Sequence, residues 1–387
     1  MRIRLIQLPK KHSIFLFGPR GSGKSTLLSQ MFFKEHSYWI DLLDPEQEER
    51  FALKPSELAS IVRALPNKIT HVVIDEVQKN PKLLDVVHSL IESTDKIFLL
   101  TGSSARKLKR GAANLLAGRA FVYHLFPFSF LEQGSEFNLD EALRFGQLPK
   151  LEALETVSLK IKYLNSYANT YLKEEIASEQ VVRKLLPFRK FLEVAAQSNG
   201  KILNYAKIAK DVGVAETTVK EYFSILEDTL LGTILEPFHH SFRKRLRQTP
   251  KFYFFDNGIA RSLSRRLTLA LQPKTSAYGD AFEQFIINEA LKLISYFHED
   301  YKVSYLQTKD GAEIDLVIER PGLPLLCVEI KSSDFIREED LSSFTRLTKD
   351  LGDCEAICLC NEKTAKSYEG VAILPWQQGL KRYFVES

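Results

Sequence analysis

Residues 18–26 read Gly18-Pro19-Arg20-Gly21-Ser22-Gly23-Lys24-Ser25-Thr26, directly after the apolar run Ser13-Ile14-Phe15-Leu16-Phe17. A buried strand followed by a glycine-rich loop and then a helix is the local plan of a phosphate-binding loop. Gly18, Gly21 and Gly23 leave room for backbone N–H groups to curl around phosphate oxygens. The helix opening at Lys24 adds the partial positive charge of its N-terminus. The spacing therefore predicts a nucleoside triphosphate site built from residues 18–26, with Lys24 reaching the β- and γ-phosphates and the Ser25 hydroxyl ligating Mg²⁺.

Working outward, apolar stretches at 13–17, 38–42, 70–75, 96–100 and 120–124 alternate with helical stretches, which predicts a parallel sheet with crossover helices. The third stretch ends His71-Val72-Val73-Ile74-Asp75-Glu76. An acid at a buried strand tip beside a phosphate loop supplies the second Mg²⁺ contact, so Asp75 is the expected metal-side carboxylate and Glu76 the group that polarises the attacking water. The fourth stretch runs into Thr101-Gly102-Ser103-Ser104, where Ser103 or Ser104 can sense the γ-phosphate or orient the water. Arg119, just before the fifth stretch, has three open roles: a transition-state arginine in its own site, one in a neighbour's site, or a surface ion pair.

At 387 residues the chain suits two or three domains, and 44% hydrophobic with 26% charged residues is the balance of a water-soluble globular protein. A net charge of +4 permits a nucleic-acid partner without arguing for one. No run is long enough to span a bilayer, and Met1–Leu8 is too short for a signal peptide, so a cytoplasmic protein with no membrane partner is expected. Cys327, Cys354, Cys358 and Cys360 lack the spacing of a zinc site and read as buried reduced thiols.

Four strings together carry a resemblance: residues 18–25, Val72-Val73-Ile74-Asp75-Glu76-Val77-Gln78-Lys79-Asn80-Pro81, Leu100-Thr101-Gly102-Ser103-Ser104 and Leu116-Ala117-Gly118-Arg119. They resemble the prokaryotic AAA-type (P-loop) ATPases that carry a C-terminal domain of unknown function. Pro127-Phe128-Ser129-Phe130 and Gly146-Gln147-Leu148-Pro149 are similar to the same family's pattern. The resemblance implies an ATPase module using ATP and Mg²⁺. A homo-oligomer is compatible with it and is not fixed by any residue. The charged helical stretch from 150 to 200 resembles the lid that follows an AAA-type core; a generic linker bundle fits equally.

Asn204 to Tyr222 follows a helix-turn-helix spacing: small Ala209, Gly213 four residues on, and apolar Val214 and Val219 to lock the second helix. A recognition helix over 214–226 would expose Glu216, Thr217, Lys220 and Glu221. The basic run Arg243-Lys244-Arg245-Leu246-Arg247 is placed to act as a wing along a phosphate backbone, and DNA is the expected partner. A winged helix used only for packing is the competing account.

In the last third, Asp310-Gly311 and Arg320-Pro321-Gly322 bracket a strand over 312–318, and Leu325–Lys331 returns as a second. Alternation puts Glu329 and Lys331 on one face. Should Asp315 face them, two carboxylates hold Mg²⁺ and Lys331 sits beside its water, an arrangement suited to phosphodiester hydrolysis. Glu283, on an amphipathic helix over 278–289, is a candidate third acid. Glu283, Asp315, Glu329 and Lys331 match the pattern of restriction-endonuclease-like domains of the Asp…Glu-x-Lys class, to which this region is similar. The fold expected is thus α/β: a P-loop NTPase core (1–145), a helical lid (146–200), a winged-helix-like middle (201–250) and a C-terminal restriction-endonuclease-like domain (251–387). The function expected is ATP hydrolysis controlling a nuclease-like domain. The alternative is a nucleotide-dependent binding switch whose C-terminal domain is inert.

Overall fold

Strand β1 (Ser13–Phe17) is buried along its whole length, as a central strand covered on both faces must be. Around it lie β2 (Ser37–Asp41), β3 (His71–Asp75), β4 (Ile97–Gly102) and β5 (Ala120–His124), in the order β2-β3-β4-β1-β5 and parallel throughout. The computed structural model describes residues 2–104, 116, 118–171, 185–239 and 249–385. Helices Pro45–Leu53, Glu57–Ala64 and Leu83–Ser93 cross over between strands. Their Phe51, Leu58, Val62, Val87 and Leu90 close one core with Phe15, Phe17, Ile40, Val72, Ile74, Phe98 and Leu100 of the sheet. This is a P-loop NTPase fold. Each strand lies within two residues of its sequence expectation. The sequence predicts no strand order; in the sheet, β4 separates the acid-bearing β3 from the loop-bearing β1.

The chain forms two compact units. The first comprises Met1–Phe128, Leu148–Ala153 and Ser224–Leu231; the second comprises Ser129–Gln147, Leu154–Phe223 and Gly232–Ser387. In the second unit, helix Tyr205–Val212 is capped by Gly213 in the left-handed region (φ 81°), and the N–H groups of Gly213 and Val214 both donate to the Ala209 carbonyl. A second helix begins at Glu216, two residues later than expected, and runs to Asp228. Val219 is fully buried, whereas Glu216, Thr217, Lys220 and Glu221 are exposed. Lys220 pairs with Glu216 at 3.0 Å, so Glu221 leaves these four outer residues net negative. An antiparallel ribbon follows, β6 (Gly232–Leu235) with β7 (Lys251–Phe254). The basic run 243–247 lies outside the described residues.

The rest of this unit is a mixed sheet of β8 (Lys302–Gln307), β9 (Glu313–Glu319), β10 (Leu325–Lys331), β11 (Cys354–Cys360), β12 (Lys366–Tyr368) and β13 (Val371–Pro375), ordered β12-β13-β11-β10-β9-β8. Cys327, Cys358 and Cys360 are buried in its core with Ile314, Val317 and Phe344, and all four cysteines are free thiols. The long helix Ser276–Phe297 supplies a buried polar network. Glu289 accepts from Ser129 Oγ at 2.7 Å and pairs with Lys292 at 2.8 Å, and Lys292 donates to Gln147 Oε1 at 2.9 Å. The Gln147 N–H in turn donates to Asp256 at 2.7 Å. Gly146 has φ 80°, and a Cβ there would come within 1.9 Å of the Asp256 carboxylate. Ser129 and Gly146-Gln147, quoted above only as family-like strings, thus have a structural purpose.

Candidate functional site

The phosphate loop is set by two different needs for glycine. Gly23 caps helix Lys24–Met31 in the left-handed region (φ 97°), which side chains disfavour. Gly18 needs space instead: a Cβ would lie 2.2 Å from the Leu125 carbonyl oxygen and 2.8 Å from Ser22 Oγ. From behind, Arg4 donates to the Ser22 carbonyl at 2.8 Å and to the Phe126 carbonyl at 2.6 Å, a brace given by no local motif. Lys24 is buried, donating to the Gly18 carbonyl at 2.7 Å and more weakly to that of Pro19 at 3.4 Å. Pro19 is buried, Arg20 half-buried, and Gly21, Ser25 and Thr26 are exposed.

The two carboxylates at the tip of β3 face different partners. Asp75 accepts from Ser25 Oγ at 2.6 Å and from Thr101 Oγ1, so the β4 hydroxyl fixes an acid two strands from β1. Thr101 Oγ1 also accepts from the Glu76 N–H at 3.0 Å. Glu76 itself sits in the left-handed region (φ 58°), a strained state for a side-chain-bearing residue. Its carboxylate accepts from Ser103 Oγ at 2.9 Å and from Gln78 Nε2, and lies 3.8 Å from Lys24 Nζ. Burial alone would raise the Glu76 pKa. The Lys24 charge and the Gln78 and Ser103 hydrogen bonds outweigh it and hold the group below the usual carboxylate range. Of the two expected serines, Ser103 bonds Glu76; Ser104 is fully buried next to it. Gln78 and Thr101 were not singled out in the sequence, although both sit inside the quoted strings.

These residues suit a nucleotide's phosphates with Mg²⁺. The Gly18 cradle would be filled by any Cβ, Ser22 Oγ is buried without a partner, and Ser25 with Asp75 offers the hard oxygen donors that Mg²⁺ takes.

Arg119 takes one of the three roles left open for it, the surface ion pair. β5 runs parallel to β1 with Ala120 opposite Ser13 and His124 opposite Phe17. Arg119, one residue before Ala120, therefore lies at the end of β1 away from the loop, about 16 Å along the strand from Phe17 at ~3.3 Å per residue. There it holds Glu92 through Nε at 2.9 Å and through Nη2. A role in the chain's own phosphate site is out of reach.

The C-terminal residues converge more closely than expected, around a group that was not expected. The β9–β10 register, continued past Val328↔Leu316, sets Asp315 opposite Glu329. Asp315 accepts from the Ile330 N–H at 2.7 Å, and Lys331 Nζ lies 2.5 Å from Glu329 Oε1. Glu283 accepts from Tyr253 Oη at 2.7 Å, and Lys251 Nζ lies 3.6 Å from Glu283 while bonding Glu313. Burial, then the charges of Glu329 and Glu283, push the Asp315 carboxyl well above its ordinary range, and burial raises Glu283 and Glu329 as well. Burial pulls Lys251 down, but Glu283 and Glu313 more than compensate and hold it above the ordinary lysine value. Among the described residues no three carboxylate, histidine or cysteine groups converge as metal ligands. As arranged here, Glu283, Asp315 and Glu329 do not form the Mg²⁺ set expected, because a lysine ammonium lies among the acids.

Among the described residues no helix is long and apolar enough to cross a membrane. In comparisons with known proteins, residues 10–133 match a family model described as an AAA domain. Residues 136–270 and 278–378 match two domains of unknown function, DUF8612 and DUF4143. An uncharacterized protein of Mycobacterium tuberculosis is 28% identical over 316 residues, covering 80% of this chain and 68% of that one. An uncharacterized protein of Methanocaldococcus jannaschii is 24% identical over 407 residues, covering 90% and 81%. Among solved structures, the Aeropyrum pernix ORC1 protein in complex with DNA is similar at TM-score 0.25 and 12% identity over 66% of this chain and 87% of that one. Can2 from Sulfobacillus thermosulfidooxidans, in complex with cyclic tetra-adenylate, is similar at TM-score 0.23 and 10% identity over 97% and 100%. The AAA-domain match and the phosphate-loop geometry support an AAA-type ATPase.

Proposed function

We propose that the chain hydrolyses ATP and that its nucleotide state controls a nuclease-like, DNA-interacting C-terminal region. The observation that carries the first half is the joining of Ser25 to Asp75 and of Glu76 to Ser103, Gln78 and Lys24. In this reading residues 18–26 bind the triphosphate, and Ser25 with Asp75 holds Mg²⁺, which when bound neutralises phosphate charge. Lys24 orients the terminal phosphates. Glu76, kept ionised, orients and polarises the water that attacks the γ-phosphorus as the bond to the bridging β–γ oxygen breaks. Ser103 and Gln78 hold Glu76 in place. The second half takes residues 146–200 as a lid, 201–250 as a winged-helix-like region and 251–387 as restriction-endonuclease-like. The helix pair followed by the β6–β7 ribbon supports it, as does the facing of Asp315 with Glu329 and Lys331.

The test is ATPase and nuclease assay of purified protein. Glu76→Gln should cut ATP turnover by about 10²–10⁴-fold while leaving ATP binding intact, whereas Lys24→Ala should lose both. Turnover unchanged in Glu76→Gln overturns the assignment. Cleavage of DNA or RNA that depends on ATP and is lost in Lys331→Ala supports the C-terminal half. The alternative is a nucleotide switch with an inert C-terminal region. That reading is supported if no nucleotide condition yields cleavage.

A further inference from the structure

Strand alternation sends the side chains of β7 to two destinations. Phe252 and Phe254 go to an aromatic core, with Phe252 5.1 Å from Phe223 between ring centroids. Lys251 and Tyr253 go the other way, into the carboxylates of the neighbouring sheet and helix. Lys251 is only 4% exposed, and its ammonium bonds Glu313, lies 3.6 Å from Glu283 and reaches Tyr253 Oη at 3.4 Å. Four acids, Glu283, Glu313, Asp315 and Glu329, share two cations, Lys251 and Lys331. The group therefore holds more carboxyl groups than its two ammonium groups can pair. One acceptor is left over: Glu329 is 8% exposed, and its Oε2 is buried with no hydrogen-bond partner. A buried carboxylate oxygen without a donor is costly unless a cation is available to it. The cluster thus has the composition of a divalent-cation site, with a lysine held inside it.

We propose that Lys251 is a built-in counter-cation that competes with a divalent metal ion for the carboxylates of Glu283, Asp315 and Glu329. The proposal rests on the restriction-endonuclease-like reading of this region. Lys251 begins β7 and is tethered through the β6–β7 ladder, where it pairs with Leu235. A shift of that ribbon would carry the ammonium with it. The site is then masked rather than missing, and the substrate for which it is masked is a metal-requiring one such as a phosphodiester.

The experiment is Mn²⁺ titration of the full nucleotide-free chain, with free Mn²⁺ read by electron paramagnetic resonance. Lys251→Ala should bind Mn²⁺ at least about tenfold more tightly than wild type, and Lys251→Ala/Asp315→Asn should lose the gain. Asp315-dependent binding that is equally tight in wild type and Lys251→Ala overturns the masking but not the metal site. No Asp315-dependent binding in any variant overturns both. Lys251→Gln, which keeps the chain length and a donor, repeats the test should the alanine variant unfold. A readout on the wild type is acylation of Lys251, located by peptide mass mapping. It should be slow in the protein alone and accelerate at millimolar Mn²⁺. Unchanged acylation while Mn²⁺ is bound through Asp315 also overturns the competition.

Discussion

Glu76 shows how much of a carboxylate's setting is made by residues other than itself. Its backbone is held at φ 58°, its N–H is taken by Thr101, and its carboxylate is shared by Ser103 and Gln78. Those donors help hold its pKa below the ordinary value, so removing one raises it. In the proposed reaction the ionised form orients the water, so raising the pKa removes that form at a higher pH. Gln78→Leu is therefore expected to move the acid limb of the ATPase pH profile upward, with less than about a tenfold change at pH 8. A limb that stays in place would mean Gln78 only fills space. The place of Asp75 and Glu76 at a strand tip was legible because a buried apolar run ending in two acids is a local signal. Gln78 and Thr101 were not. Their importance comes from where a 3₁₀ turn and the neighbouring β4 bring them, and neither has a pattern of its own. Lys251 was illegible for a similar reason: its partners lie 32 and 62 residues away in sequence, at Glu283 and Glu313.

At the scale of elements, strand and hairpin positions could be read closely, since apolar period and turn residues act within ten residues of each other. Strand order could not, because it depends on which surfaces the crossovers bury. Arg119, by contrast, lies where the start of a parallel strand must, at the end of the sheet opposite the phosphate loop. Turns offer a direct test. Gly146 and Gly311 both have positive φ (80° and 87°), but a Cβ at Gly146 would strike Asp256 whereas one at Gly311 meets nothing within 4 Å. Gly311→Ala should cost only the backbone strain, about 1 kcal/mol. Gly146→Ala should cost well beyond that, about 3 kcal/mol or more, since it also pries apart the Asp256–Gln147 hydrogen bond in a buried network. Thermal melts of the two variants check this. Equal losses would show that the network yields without cost.

On the scale of the whole chain, the sequence suggested four consecutive parts, whereas the contacts gather into two units that are not consecutive. The nucleotide-binding unit takes in Leu148–Ala153 and Ser224–Leu231. Arg2 bonds Glu152 at 2.6 Å within it, and Leu230 packs against its core. A fragment ending at residue 133, where the AAA-domain match stops, lacks both pieces. It should show markedly faster amide exchange in β1, β3 and β4 than the full chain, by about tenfold or more. Equal protection would mean that the two returning segments add nothing to the sheet.

The same interrupted path sets an order of events while the protein is being made. The five strands of the nucleotide-binding sheet have left the ribosome once residue 124 is out, but the last returning segment ends at Leu231. At ~5–20 residues per second, the roughly 100 intervening residues take on the order of 5–20 s to synthesise. Through that interval the newborn sheet waits with part of its surface uncovered. A chaperone that meets the nascent chain would find its client there.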